Sequence, residues 1–280
     1  MPLPPPPTTP VMRVGARAEV RAIALARPLR WLQLGWGDLV RCGWLSLAHG
    51  LALAGIGGAL LIVGKSHFWM LAGAFSGFLL VAPVLATSLY SLSRALERGE
   101  PANVHVVINT WVNWQNTRFS RWTNDYWRLV QFGALLALAG TGWVITSAAL
   151  ITLLAPGPIA SPADFLHLVV LAPDGFLFEL WLGLGGVMAA PIFASSAVAI
   201  PLLLDRRATL LQAVLTSWRT VLKNPMPMAL WASLIMMLTV LGLGLALLGL
   251  IVVIPVLGHA SWHAYRDLVD ASQLPHWDER

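Results

Sequence analysis

Residues 44–64 read WLSLAHGLALAGIGGALLIVG, a stretch without Asp, Glu, Lys or Arg. As an α-helix, a run of this length extends about 30 Å, which matches the hydrocarbon core of a bilayer. Of the 280 residues, 57% are hydrophobic and 11% charged, whereas about 25% are charged in a typical soluble domain. Further long apolar runs occupy 68–93, 129–154, 176–204, 227–241 and 243–265. The sequence therefore predicts an all-α polytopic membrane protein with six transmembrane helices.

The last two runs form one apolar stretch from Met226 to Tyr265. A single helix of that length would extend about 60 Å, twice the thickness of the hydrocarbon core. We therefore expect two short helices joined near Gly242 and Gly244.

The basic residues predict the orientation in the membrane. Of the 18 Lys and Arg residues, only Lys65 falls on the opposite side of the six runs from the others. The loop between the third and fourth runs contains no Lys or Arg, as is typical of a translocated segment. By the positive-inside rule, both termini are expected to be cytoplasmic.

The ends of the chain differ from the rest in composition. Residues 1–12 begin MPLPPPPTTP and are expected to be a disordered, proline-rich tail. No signal-peptide pattern follows them. A single membrane domain is predicted for residues 13–270, and residues 271–280 are predicted to be a cytoplasmic tail. Cys42 is the only cysteine, so no internal disulfide can form.

An internal repeat indicates three helical hairpins. The second run reads GFLLVAPVLATSLYSLSR from Gly77, and the sixth reads GLIVVIPVLGHASWHAYR from Gly249. A weaker copy in the fourth run is centred on Pro191. Pro83, Pro191 and Pro255 thus occupy equivalent positions, where each is expected to kink its helix.

A segment rich in Trp and basic residues precedes each hairpin, at 27–41, 110–128 and 210–225. Trp prefers the headgroup level of a membrane, and Arg and Lys bind phosphates there. We therefore expect three cytoplasmic interfacial amphipathic helices that contact anionic lipid headgroups. Topology determination alone explains the same charges equally well. The candidate headgroup contacts are Arg30, Trp36, Arg41, Arg118, Arg121, Trp122, Trp218, Arg219 and Lys223.

Three blocks together resemble a known family. They are PLRWLQLGWGDLVR (28–41), AIPLLLDRRATLLQAVLTSWRTVLKNPMPMALW (199–231) and VVIPVLGHASWHAYRDLV (252–269). The chain resembles, over roughly residues 27–270, the bacterial integral inner-membrane proteins catalogued as domain of unknown function 2189. The resemblance implies an inner-membrane location and supplies no reaction, ligand or catalytic residue.

Polar residues near the repeated prolines suggest a site. Thr87, Ser88, Ser195, Ser196 and His259 follow the prolines by about one turn, and they predict a polar cavity between kinked helices. The alternative is a packing device copied by duplication, in which the hydroxyl groups bond nearby carbonyls.

Histidines are the other chemical candidates within the runs. His259 and His263 are four residues apart and share a helix face, and His49 is expected at a similar depth. These three residues are weak candidates for metal or haem ligation, because no carboxylate or cysteine cluster joins them. Hydrogen-bonded residues near the interface are the preferred interpretation.

The sequence contains no nucleotide-binding loop, nucleophile elbow or paired-carboxylate motif. We therefore predict a non-catalytic accessory, assembly or membrane-organising protein, not an enzyme, without a cofactor. Membrane lipids with anionic headgroups are the expected partners, with a membrane protein as a further partner and no nucleic acid. A small-molecule or lipid transporter or channel is the alternative, and a haem- or metal-binding protein is a weaker one.

Overall fold

The computed structural model describes residues 18–63, 86–116, 127–172 and 176–276, together with residues 69, 71, 73, 74 and 77. Most of the described chain is helical, and each of its two strands has only two residues, so the predicted all-α class is confirmed. The predicted tail 1–12 and Pro83 lie outside the described residues.

The helices are numbered in chain order. They are α1 (Arg27–Cys42), α2 (Trp44–Val63), α3 (Thr87–Glu97), α4 (Val104–Asn116), α5 (Trp127–Leu154), α6 (Pro162–Phe165), α7 (Leu177–Ser196), α8 (Ala199–Asp205), α9 (Leu210–Lys223), α10 (Pro225–Gly244) and α11 (Leu250–Leu268). A π-helical turn, Leu166–Val170, follows α6. Strand β1 (Glu19–Val20) pairs antiparallel with β2 (Val269–Asp270).

Four segments in the described part of the chain are long and apolar enough to cross a membrane. They are Trp44–Ile62, Val130–Leu154, Leu177–Asp205 and Pro225–Gly244, and they correspond to the first, third, fourth and fifth predicted runs. Half of the second run, 68–93, lies outside the described residues. The sixth run overlaps α11, which is not among the four because the second half of this helix carries His259, His263, Arg266 and Asp267.

Many large apolar side chains on these four segments point away from the protein. Leu153 is 80% exposed, and Ile62 and Val187 are each 71% exposed. In water this surface would be costly, since each fully buried aliphatic side chain gains about 1.5–3 kcal/mol. Lipid tails are as apolar as these side chains. The exposure is therefore the pattern of a membrane protein.

Helix α11 lies at the centre of the bundle and packs against α1, α2, α3, α8 and α10. Glycines permit the closest approaches. A Cβ on Gly35 of α1 would lie 2.6 Å from the carbonyl oxygen of Val256, and one on Gly50 of α2 would collide with the carbonyl oxygen of Ile251. On α11 itself, Gly258 abuts Leu89 of α3. Helices α1 and α2 thus touch the backbone of α11 directly, and α3 reaches it through the Leu89 side chain.

The turn between α10 and α11 lies later than predicted. Helix α10 continues through Gly242 and Gly244, and the chain reverses between Leu245 and Gly249. Within this turn Ala246 and Leu247 have positive φ angles of 52° and 68°. Gly242 and Gly249 instead form the contact that closes the hairpin, because a Cβ on Gly249 would lie 2.7 Å from the Gly242 Cα. Gly242 therefore serves helix contact and not the turn itself.

The described ends of the chain meet beside α11 and α9. Besides the β1–β2 pairing, the Arg21 N–H donates to the Leu268 carbonyl at 2.8 Å. Asn224, which separates α9 from α10, accepts from the Ile23 N–H and donates to the Arg21 carbonyl, both at 2.9 Å. Residues 271–276 of the predicted C-terminal tail pack back onto the fold, since Leu274 is 5% exposed and its carbonyl accepts from Arg206.

Candidate functional site

Helix α1 has two faces, and the one turned towards the protein carries an acid. Trp31, Gly35, Asp38 and Cys42 recur at helical spacing and are all buried. Asp38 is 1% exposed. A carboxylate at such a position is costly unless it is paired and hydrogen-bonded, and its surroundings supply several donors.

Three side chains donate to the Asp38 carboxylate. Arg41 donates to Oδ1 at 2.5 Å. The Ser93 hydroxyl, from α3, donates to Oδ2 at 2.7 Å, and His263 Nε2, from α11, reaches the same oxygen at 2.8 Å. Burial acts to raise the pKa of Asp38, but the hydrogen bonds from His263 and Ser93 outweigh it, so this pKa lies below its ordinary value.

The contacts continue inward from Ser93 to His259, which has no exposed surface. The Ser93 hydroxyl lies 2.7 Å from His259 Nδ1, and the Ser46 hydroxyl of α2 lies 2.8 Å from His259 Nε2. A connected polar chain therefore crosses four helices. We call it the Asp38–His259 network: Ser46, His259, Ser93, Asp38, His263 and Arg41.

The last turns of α11 extend this polar framework. Trp262 and Arg266 both donate to the Glu97 carboxylate of α3 at 2.9 Å. Tyr265 donates to the buried Asp205 of α8 at 2.8 Å. The end of α11 thereby binds two acids that each end a helix. Glu97 is the last residue of α3, which follows Pro83 in the sequence, and Asp205 is the last residue of α8, which follows Pro191.

Asp267 connects the end of α11 to the beginning of α1. Its carboxylate accepts from Trp31 Nε1 and from Arg27 Nε, each at 2.6 Å. Burial acts to raise the pKa of Asp267, whereas the hydrogen bonds from Arg27 and Trp31 lower it, and the net pKa lies below its ordinary value. This ion pair stabilises the fold at neutral pH.

The predicted cavity residues have separate partners. Ser88 accepts from Trp111 Nε1 at 2.7 Å, and Ser195 accepts from Trp218 Nε1 at 2.9 Å. Ser196 donates to the Ile192 carbonyl, and Thr87 is buried at the start of α3. His259 contacts the unpredicted Ser46 and Ser93 instead. A common cavity for these residues stays a prediction.

The histidine candidates are also engaged. Both ring nitrogens of His259 face serine hydroxyls, and His263 Nε2 faces Asp38. His49 Nδ1 lies 2.8 Å from the Leu45 carbonyl. Within the described ranges, no three His, Cys, Asp or Glu side chains are grouped so that they could hold a metal ion.

The predicted headgroup residues of α9 lie on an outward apolar face. Leu211, Leu215, Trp218 and Leu222 are 66%, 44%, 37% and 71% exposed. The opposite face, which packs against the protein, carries small or polar residues. Its buried members are Ala213, Thr216, Ser217 and Thr220. This distribution is the reverse of that in a helix of a soluble protein.

Helix α1 has a similar outer face. Leu29, Trp36 and Val40 are 48%, 54% and 64% exposed. Arg30 of α1 and Arg219 of α9 lie beside these faces, and neither takes part in the ion pairs formed by the described residues. The remaining predicted contacts in view, Arg41 and Lys223, bind Asp38 and the Val20 carbonyl. Arg118, Arg121 and Trp122 lie outside the described residues.

Sequence reasoning identified His259 and His263 but missed Asp38, Ser46 and Ser93. A signal for Asp38 was present, because it shares the face of Trp31, Gly35 and Cys42 in α1. A charged residue on the inner face of a helix requires a buried partner. No comparable signal marked the two serines, since serine is also common at close helix contacts.

Comparison with known proteins supports the membrane assignment. A family described as "Predicted integral membrane protein (DUF2189)" matches residues 70–205, which confirms the resemblance over that part of the chain. No curated protein and no solved structure matches the chain.

Proposed function

We propose that this integral membrane protein is a non-catalytic accessory or membrane-organising protein of the bacterial inner membrane that binds anionic lipid headgroups through the outer faces of α1 and α9. In this proposal the chain crosses the membrane six times, as three hairpins with both termini in the cytoplasm. Helices α1 and α9 lie in the cytoplasmic interface before the first and third hairpins.

One observation carries the proposal. Each outer face combines a half-exposed tryptophan and aliphatic side chains with an arginine outside the observed ion pairs: Trp36 with Arg30 on α1, and Trp218 with Arg219 on α9. Most other arginines in view bind an acid or a backbone carbonyl. Arginine at the membrane surface binds lipid phosphate. The two faces therefore match the headgroup region in polarity and in charge.

Lipid retention tests this proposal. The full-length protein is placed in nanodiscs of phosphatidylcholine with a minor fraction of phosphatidylglycerol, and the lipids that stay bound after extraction are counted by native mass spectrometry. Each basic residue near an anionic surface contributes about 1 kcal/mol. The double variant Arg30→Gln/Arg219→Gln should therefore bind phosphatidylglycerol about 30-fold more weakly than the wild type.

The control is Arg21→Gln together with Lys65→Gln, which changes the net charge equally. Arg21 is paired with Asp270, and Lys65 belongs to the opposite side of the predicted topology. The control should retain phosphatidylglycerol as the wild type does. Equal loss in both double variants would show that net charge alone binds the lipid, and no preference for phosphatidylglycerol in the wild type would end the proposal.

A transporter is the second candidate, and the buried Asp38–His259 network favours it. Ionisable residues inside membrane bundles commonly mark ion or substrate pathways. Proteoliposomes loaded with a pH-sensitive dye should then show a proton flux that Asp38→Asn abolishes. Wild-type vesicles as tight to protons as protein-free vesicles would exclude this candidate.

A further inference from the structure

We propose that Asp38, Ser93 and His259 form a buried proton-binding site, in which one added proton is shared between the carboxyl and imidazole groups through the Ser93 hydroxyl. The three groups are linked by contacts of 2.7 Å on each side of Ser93. Asp38 and Ser93 are each 1% exposed, and His259 has no exposed surface. The ligand of this site is the proton, and the inference is independent of lipid binding.

Hydrogen-bond polarity determines the resting state. An ionised carboxylate can only accept, so Ser93 must donate its single proton to Asp38 Oδ2. The short contact between Ser93 and His259 then requires that His259 Nδ1 carry a proton and donate it. In a neutral imidazole the other nitrogen is unprotonated. Nε2 of His259 therefore accepts from the Ser46 hydroxyl at 2.8 Å.

An added proton can be held without movement of any heavy atom. When a proton binds His259 Nε2, the ring becomes an imidazolium and Asp38 stays ionised. The Nδ1 proton can then pass to the Ser93 oxygen while the Ser93 proton passes to Asp38. This double transfer leaves a neutral carboxylic acid and a neutral imidazole protonated on Nε2. Both forms contain the same protons and satisfy the same contacts, so Ser93 connects them directly.

His263 connects this site to the surface of the protein. Its side chain is 19% exposed, and its Nε2 shares Asp38 Oδ2 with Ser93. The other ionisable groups that face His259 are Arg41 from α1 and His49 from α2, and Cys42 of α1 contacts Ser46. On α3, Arg94 binds the Leu204 carbonyl and Glu97 binds Trp262 and Arg266. Asp38 is therefore the acid that connects the buried site to the partly exposed His263.

The test is nuclear magnetic resonance of the histidine rings in the full-length protein, labelled with ¹³C and ¹⁵N and held in nanodiscs. The His259 signal is assigned by its loss in His259→Gln. At pH 8 we expect His259 protonated on Nδ1, although free histidine favours the proton on Nε2. On acidification Nε2 should gain a proton while the fold persists. Observation of Nε2–H at pH 8, or of no proton uptake before acid unfolding, would overturn the proposal.

Two serines of α3 provide matched variants. Ser93→Ala removes the acceptor of Nδ1–H, so His259 should change to the Nε2–H form at pH 8. Ser91 is equally buried but bonds Thr110, and Ser91→Ala should leave His259 unchanged. Asp38→Asn tests the same constraint without altering Ser93. An amide can donate as well as accept, so Ser93 is no longer forced to donate to residue 38. His259 should then lose its Nδ1–H form at pH 8. Retention of Nδ1–H in Ser93→Ala or Asp38→Asn would contradict the argument.

Discussion

Replacement of Gly50 by alanine tests the central packing of the fold. A Cβ at this position of α2 would collide with the carbonyl oxygen of Ile251 and lie 2.6 Å from its carbonyl carbon, about 0.8 Å short of ordinary contact at 3.4 Å. These are backbone atoms, so no side chain can rotate away. The carbonyl is exposed to this contact because Pro255, four residues later, has no N–H to donate to it. Helices α2 and α11 would have to separate.

Overpacking of this kind costs about 1–3 kcal/mol. The matched control is Gly55→Ala in the same helix, where nothing lies within 4 Å of the added Cβ. Both variants gain helix propensity of up to about 1 kcal/mol, so their difference isolates the collision. We expect Gly50→Ala to be about 2 kcal/mol less stable than Gly55→Ala, or roughly 4–8 °C lower in Tm.

Thermal unfolding in detergent, followed by tryptophan fluorescence, measures this difference. Trp31 of α1 and Trp262 of α11 itself are almost fully buried and report the packing of α11. Equal Tm values for the two variants would show that α2 and α11 do not approach at Gly50, and the arrangement of the bundle would need revision.

Three further predictions concern stability. Because the pKa of Asp267 is lowered in the folded state, its carboxylate stabilises the fold above about pH 4. This contribution should disappear as the pH falls through the folded pKa. The Tm measured from pH 7 to pH 3 should therefore fall less in Asp267→Asn than in the wild type. Asn224→Ala removes the hydrogen bonds to Ile23 and Arg21 from a residue that is 3% exposed. It should lower the free energy of unfolding by about 2 kcal/mol and speed proteolysis within residues 18–26. Unchanged cleavage would contradict this prediction. Ala246→Gly relieves a positive φ of 52° and should raise Tm by a few degrees, whereas Ala232→Gly inside α10 should lower it by about as much; Tm shifts of equal sign would refute the turn geometry.

The sequence predicted those parts of the fold that local patterns determine. Helix α1 begins at Arg27 and ends at Cys42, close to the predicted 27–41. Helix α9 ends at Lys223, directly before the sequence Asn-Pro that limits its extension. Length and apolarity are also local properties of the sequence, and they identified the four candidate spans. The prediction was weakest for α11, where apolar and polar residues share one helix and the end of the sixth run has no sharp boundary.

The candidate site depended on distant partners and was less predictable. Ser93 and Asp38 are 55 positions apart, and Ser46 and His259 are 213 apart. No local pattern pairs such residues, since pairing follows from how α1, α2 and α3 surround α11. The repeat correctly drew attention to His259. It also grouped His259 with Ser195, and a common cavity for these two residues stays a prediction, since the observed partner of Ser195 is Trp218.

The central position of α11 has a consequence for biogenesis. This helix is made after α1, α2 and α3, yet all three pack against it. During translation those earlier helices therefore exist before the element at their centre. The contacts of Gly35 and Gly50 require the residues of α11, and the β1–β2 pairing forms only after residue 270 has been made. A chain that stops before Leu250 thus lacks the element around which its earlier helices are arranged.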